Sequence, residues 1–187
     1  MSSNHLIFGS GLIGTYLGMA LTMAGVETLM VARQTWLSRI DKGLSLSDLD
    51  GHLTSVIHGK VEEVAEAAHD YAPDILWLTV KCTAVASVLD EVRHYVTPKT
   101  TIICCQNGLN SEQRVIEAFP DNLVLKAMVP FNVTIEDEER LHRGTPGPLT
   151  VEYHKDAEAV IDFVSRFKSP VLDIILSDDM PSVVWSK

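Results

Sequence analysis

Residues 9–14 read Gly9-Ser10-Gly11-Leu12-Ile13-Gly14, and this short run restricts the possible architecture more than any other stretch. The apolar residues before it, His5-Leu6-Ile7-Phe8, suit a buried parallel strand. After it, residues 15–24 are small or apolar and continue as a helix, which Gly25 closes. Residues 27–32 (Glu-Thr-Leu-Met-Val-Ala) then read as a second strand. Strand, glycine loop, helix and strand in that order turn G-x-G-x-x-G from a loose pattern into a dinucleotide fingerprint. Gly9 allows the tight turn, Gly11 lets backbone N–H groups approach a pyrophosphate, and Gly14 lets the helix pack closely on the strand. The phosphates would meet the positive end of the helix dipole. Without a ligand the same residues would be a glycine-rich turn, but the context favours binding.

The end of the second strand separates the two nicotinamide cofactors. An acidic residue there, about 20 residues past the glycines, would hold the ribose hydroxyls of NAD. The chain instead reads Val31-Ala32-Arg33-Gln34. A guanidinium offers a planar fork of donors to a 2′-phosphate and stacks on adenine, so Arg33 favours NADP(H) over a plain surface arginine.

The alternation continues beyond this point. The pattern predicts a short strand over 51–58, a helix over 61–69 and a strongly apolar strand over 75–80 that ends at Lys81. A helix over 83–95, a strand over 100–105, a helix over 111–119 and a strand near 123–129 follow. Residues 131–135 and 149–153 alternate in polarity around a Gly/Pro-rich stretch, which suggests antiparallel strands at one side of the sheet. A helix over 157–167 and a strand over 171–176 complete the series. The expected fold is α/β: a Rossmann-type, NAD(P)-binding, doubly wound and mostly parallel sheet with an antiparallel extension near the C-terminus. Ligands of such sheets sit at the C-terminal strand ends, where Lys81 and Asn107 would emerge beside the glycine loop. Each also has a plainer reading, Lys81 as a helix-start surface lysine and Asn107 as part of an Asn-Gly turn.

Composition narrows the function classes. Fifteen Lys+Arg against 25 Asp+Glu give a net charge of −10, which argues against nucleic acid or an anionic membrane as the main partner. No apolar run approaches the roughly 20 residues of a membrane span, and no signal pattern opens the chain. The three cysteines, Cys82, Cys104 and Cys105, are too few and too poorly spaced for a disulfide framework or a zinc site. Cys104 and Cys105 would face opposite sides of one strand. A reduced, cytoplasmic setting is the simplest expectation.

Taken together, Gly9-Ser10-Gly11-Leu12-Ile13-Gly14, Ala32-Arg33, Val80-Lys81, Gln106-Asn107-Gly108 and Trp185-Ser186-Lys187 resemble the N-terminal domain of the ketopantoate reductase family. His142-Arg143-Gly144-Thr145-Pro146-Gly147 resembles that family's H-x-G-x-x-G-type hairpin. The resemblance implies NADPH-dependent reduction of 2-dehydropantoate, a 2-keto acid, to pantoate on the way to coenzyme A. It implies that Gly9, Ser10, Gly11, Leu12, Ile13 and Gly14 cradle the pyrophosphate and that Arg33 grips the 2′-phosphate. Lys81 and Asn107 would flank the nicotinamide ribose, Asn107 would also reach substrate, and Asn132 would lie beside the cofactor. Lys187 matches the catalytic lysine, whose ammonium would stabilise the developing alkoxide and donate its proton. Without the family match, Lys187 would read as a mobile charged terminus. His142 reads as a hairpin residue without chemistry, since no partner carboxylate stands at a fixed spacing.

Family members continue into an all-helical domain that supplies further substrate-binding groups and would govern oligomeric state, with a homodimer possible for the full-length protein. On this reading residues 1–177 form the cofactor domain, and residues 178–187 open the helix that links to the second domain. The stop at Lys187 inside that helix implies a shortened chain that folds and binds NADPH but turns over little substrate. Two other readings remain: a related NADPH-dependent reductase of a different 2-keto acid, and a non-catalytic NADP(H)-binding module.

Overall fold

The computed structural model describes residues 3–63, 71–108 and 110–185. Its first strand, β1 (His5–Phe8), leads into helix α1 (Leu12–Met23), strand β2 (Thr28–Ala32) and helix α2 (Gln34–Lys42). Two short strands follow, β3 (Ser45–Ser47) and β4 (Lys60–Glu63). Then come β5 (Ile75–Leu78), α3 (Val85–Arg93), β6 (Thr101–Cys104), α4 (Gln113–Ala118) and β7 (Val124–Met128). The remainder comprises β8 (Val133–Glu136), β9 (Arg140–Arg143), β10 (Leu149–Glu152), α5 (Glu158–Arg166), β11 (Ile174–Ser177) and α6 (Met180–Trp185).

Eight strands form one sheet in the order β11-β10-β7-β6-β5-β1-β2-β4, parallel throughout except where β10 runs antiparallel to β7. The central strands are apolar on both faces because helices cover both. Period-two alternation divides their side chains between two cores. Ile7, Met30, Ile75, Trp77 and Ile103 pack with Tyr16, Leu17 and Ala20 of α1 and Val160 and Phe163 of α5. Leu6, Phe8, Leu76, Leu78 and Ile102 pack on the other side with Val85, Val88 and Val92 of α3 and Val115 of α4. Cys104 and Cys105 fall on opposite faces, one in each core. Burial raises both thiols, Cys104 to about 12, so neither is a thiolate at neutral pH. Residues Gly14 to Leu21 of α1 are all buried, which accounts for a helix with no polar face.

Several expectations are corrected. Residues 51–58 form no strand: they make only the single bridges Leu44↔Ile57 and Ser47↔Leu53, and Leu53 and Val56 are 61% and 56% exposed. Residues 61–63, expected to open a helix, lie instead in strand β4, which pairs along β2 from Leu29↔Lys60 to Ala32↔Glu63. The outer edge of β2 needs backbone partners, and that demand outweighs the preference of acidic residues for a helix start. Residues 64–69 of the expected helix lie outside the described residues. Helix α2 stands where the sequence reading places no element, although Trp36, Leu37 and Ile40 share one side and Arg39, Lys42 and Gly43 close it. The two alternating segments also part company. Strand β10 joins the main sheet beside β7, whereas β8 pairs with β9 in a separate three-stranded sheet ordered β3-β9-β8.

Candidate functional site

The order of the strands reverses at β1: β2 and β4 lie on one side, and β5, β6 and β7 on the other. A sheet of this kind leaves a crevice at the switch point, beyond the C-terminal strand ends. The register makes those ends level, since Phe8 pairs with both Val31 and Leu78, and Leu78 pairs with Cys104. The loops that leave them open into one cleft of about 1380 Å³, lined among others by Gly9, Arg33, Lys81, Asn107 and Asn132.

The glycine loop sits at the centre of this cleft. Gly9 has φ +99°, and a Cβ there would stand 2.4 Å from Val80 Cγ1 and 2.8 Å from the Val80 nitrogen. A Cβ on Gly14 would stand 2.5 Å from Thr79 Oγ1 and 2.8 Å from the Gly9 carbonyl oxygen. Thr79 Oγ1 donates to the Phe8 and Gly9 carbonyls, both at 3.0 Å, so β5 holds the loop from beneath. Gly11 differs, because a Cβ there would meet nothing within 4 Å. Gly11 is also the N-cap of α1 and offers no side-chain cap. The helix therefore presents its first N–H groups to the cleft, where an anion can accept from them. Ser10, Leu12 and Ile13 line the same wall, and Ser10 Oγ is buried with no hydrogen-bond partner among the described residues.

The remaining expected residues spread along the strand ends. Arg33 follows β2 and Lys81 follows β5; both are exposed, and neither side chain has an ion pair or hydrogen bond among the described residues. Glu91 of α3 contributes a carboxylate to the same cleft. Asn107 follows β6, and Asn132 precedes β8 on the far side of the glycine loop from Arg33. Lys187, together with Ser186, lies outside the described residues.

Three residues that position this cleft were missed by sequence reasoning. Thr79 is one. Gln106 is another: its Nε2 donates to the carbonyls of Leu78 (2.8 Å) and Val80 (3.0 Å), tying the end of β6 to the end of β5 between Lys81 and Asn107. The third, Lys126, is 8% exposed inside β7. Its ammonium donates to the Gly108 carbonyl at 2.8 Å, to Ser111 Oγ at 3.1 Å and to Glu112 Oε2 at 2.6 Å. Ser111 Oγ in turn donates to the Gln106 carbonyl at 3.1 Å. The Asn107–Gly108 turn is thus fastened from below by a buried, paired cation. A lysine in the middle of Leu123-Val124-Leu125-Lys126-Ala127-Met128 was the available signal, since an unpaired ammonium is not retained in an apolar strand.

A sequence model of the ketopantoate reductase PanE/ApbA family matches residues 5–156, most of the chain. This chain belongs to the ketopantoate reductase family. A 2-dehydropantoate 2-reductase of Pyrococcus abyssi is 25% identical over 185 residues, covering 97% of this chain and 58% of its own length. The uncharacterized oxidoreductase YkpB of Bacillus subtilis is 20% identical over 186 residues, covering 97% of this chain and 60% of that relative. Among solved structures, the crystal structure of 2-dehydropantoate 2-reductase from Methylococcus capsulatus superposes with a TM-score of 0.80 at 24% identity, over 97% of this chain and 59% of that one. The chain therefore spans about three fifths of the length of these relatives, and it shares its fold with the matching part of the solved structure. Among the described residues no helix is long and apolar enough to cross a membrane.

Proposed function

We propose that this chain forms the NADP(H)-binding part of an oxidoreductase that reduces 2-dehydropantoate to pantoate, a step towards coenzyme A. The observation that carries the reading is the convergence of the glycine loop, Arg33, Lys81 and Asn107 on one cleft at the switch point of the sheet. The residues present fit the cofactor. Gly11 leaves open space where a pyrophosphate would approach, and the orphaned Ser10 hydroxyl is a donor in search of an acceptor. Arg33 supplies charge-assisted donors for a 2′-phosphate where an NAD enzyme would carry a carboxylate.

In this reading the adenosine half lies toward Arg33 and the nicotinamide half toward Asn107 and Asn132. Bound NADPH supplies a hydride for the C2 ketone carbon of the substrate. Lys81 and Asn107 hold the nicotinamide ribose, and Asn107 also orients the substrate. The Lys187 ammonium stabilises the alkoxide that develops at the ketone oxygen and donates its proton there, leaving a neutral amine and an alcohol. Residues 1–177 make up the cofactor domain, and 178–187 begin the link to the substrate-binding part. Taken alone, the 187 residues bind cofactor and turn over little substrate.

The test is a titration of this chain with NADPH and with NADH, read by nicotinamide fluorescence or calorimetry, in the wild type and in Arg33→Ala. NADPH should bind more tightly, and the variant should lose that preference by roughly tenfold to a hundredfold, as expected for charge-assisted bonds of about 1.5–3 kcal/mol. Equal affinities in the wild type would remove the role given to Arg33. A second reading, reduction of a different 2-keto acid, draws on the relative called only an uncharacterized oxidoreductase. A panel of 2-keto acids, assayed for NADPH oxidation, separates the two.

A further inference from the structure

The motif His142-Arg143-Gly144-Thr145-Pro146-Gly147 lies outside the cleft, yet it touches one wall of the cleft residue by residue. That wall is the connection from β7 to β8, and Phe131, Asn132, Val133 and Thr134 line the cleft from it. Gly147, with φ +110°, packs so closely on Pro130 that a Cβ would stand 2.9 Å from Pro130 Cγ. The Arg143 guanidinium lies 5.5 Å from the centroid of the Phe131 ring. The Asn132 backbone is fixed at both ends, its N–H donating to Thr145 Oγ1 at 2.8 Å and its carbonyl accepting from the Gly144 N–H at 3.0 Å. Val133 pairs with Arg143 and Thr134 with His142. Arg143 is itself anchored: it is 8% exposed, donates to the Gly147 carbonyl at 3.3 Å, and pairs with the buried Asp48 at 3.5 Å. The His142 ring shares a hydrogen bond with Ser47 Oγ of β3 at 3.0 Å, which fastens the hairpin to its neighbour.

We propose that this hairpin sets the nicotinamide side of the cleft, with Thr145 and Arg143 as positioning residues that hold Asn132 and Phe131 in place without touching cofactor themselves. The inference rests on the NADP(H) reading above and deepens it. Strand order places residues 131–134, beyond β7, on the opposite side of the glycine loop from Arg33, beyond β2. A slackened hairpin therefore disturbs one half of the cofactor and leaves the adenosine half alone. Without the Thr145 oxygen the Asn132 N–H loses its partner, and the backbone at that residue is free to move.

The test compares NADPH with 2′-phospho-ADP-ribose, which lacks only the nicotinamide ring, in the wild type, Thr145→Val and Thr145→Ser. Valine keeps the shape of threonine and removes the acceptor, whereas serine keeps the acceptor. Thr145→Val should weaken NADPH by roughly tenfold, leave 2′-phospho-ADP-ribose within about twofold, and alter bound-NADPH fluorescence. Thr145→Ser should restore both readouts. A purely structural role would weaken the two ligands equally, and that result, or no change in either, overturns the proposal while the NADP(H) reading stands. Arg143→Lys, which keeps a cation beside Asp48, should show the same split, because a primary ammonium cannot stack on Phe131 as a guanidinium does. If the wild type binds neither ligand, the NADP(H) reading fails and the proposal falls with it.

Discussion

His5 is fully buried in β1, and its chemistry makes a measurable demand on pH stability. Trp77 Nε1 donates to His5 Nδ1 at 3.1 Å; an indole N–H only donates, so Nδ1 is the acceptor and Nε2 carries the proton toward Ser3 Oγ at 2.8 Å. The ring also packs edge-on against Phe163, with centroids 4.5 Å apart. Burial lowers its pKa from 6.5 to about 3. The folded chain therefore keeps His5 neutral at pH values where the unfolded chain protonates it. Its stabilising contribution is complete above pH 6.5 and declines as the pH falls toward 3, at about 1.4 kcal/mol per pH unit. Between about pH 7.5 and about pH 5 that amounts to about 2 kcal/mol. Urea unfolding of the wild type and of His5→Gln across this range measures it, because glutamine retains an acceptor for Trp77 and does not titrate. The wild type should lose about 2 kcal/mol more than the variant over the interval. Parallel pH profiles would show that His5 is not held neutral in the fold.

Other consequences are equally direct. Gly9→Ala should destabilise the chain by about 2–4 kcal/mol, since it combines an unfavourable positive φ with a collision against the Val80 backbone; chemical denaturation reads this. Gly11→Ala meets open space, so the same assay should register less than about 1 kcal/mol while calorimetry finds NADPH binding impaired. Lys126→Met removes the ammonium beneath the Asn107 turn and leaves the Glu112 carboxylate without its partner, for a loss of about 2 kcal/mol; adding Glu112→Gln should recover part of it.

The ordering of the fold was legible in the sequence because it depends on local pattern. The glycine loop between an apolar strand and a helix, the small and apolar residues of α1, and the strongly apolar residues 75–78 and 101–104 each carry their own signal, and the parallel sheet follows from their alternation. Arg33, Lys81 and Asn107 were legible for the same reason, as polar residues placed directly after such strands. Residues 51–58 and 61–63 depart from their local pattern because their structure is decided by partners far along the chain: β4 is a strand because β2 has an open edge, and residues 51–58 are not one because no edge receives them. The same dependence hid Thr79, Gln106 and Lys126, whose side chains act on carbonyls and loops brought close only by strand pairing. The hairpin at 142–147 was visible as a motif, but its use was not. A sequence states which residues neighbour each other along the chain. Only the folded sheet, by bringing Thr145 to the Asn132 backbone and Arg143 to the Phe131 ring, decides which of them set the shape of the cleft.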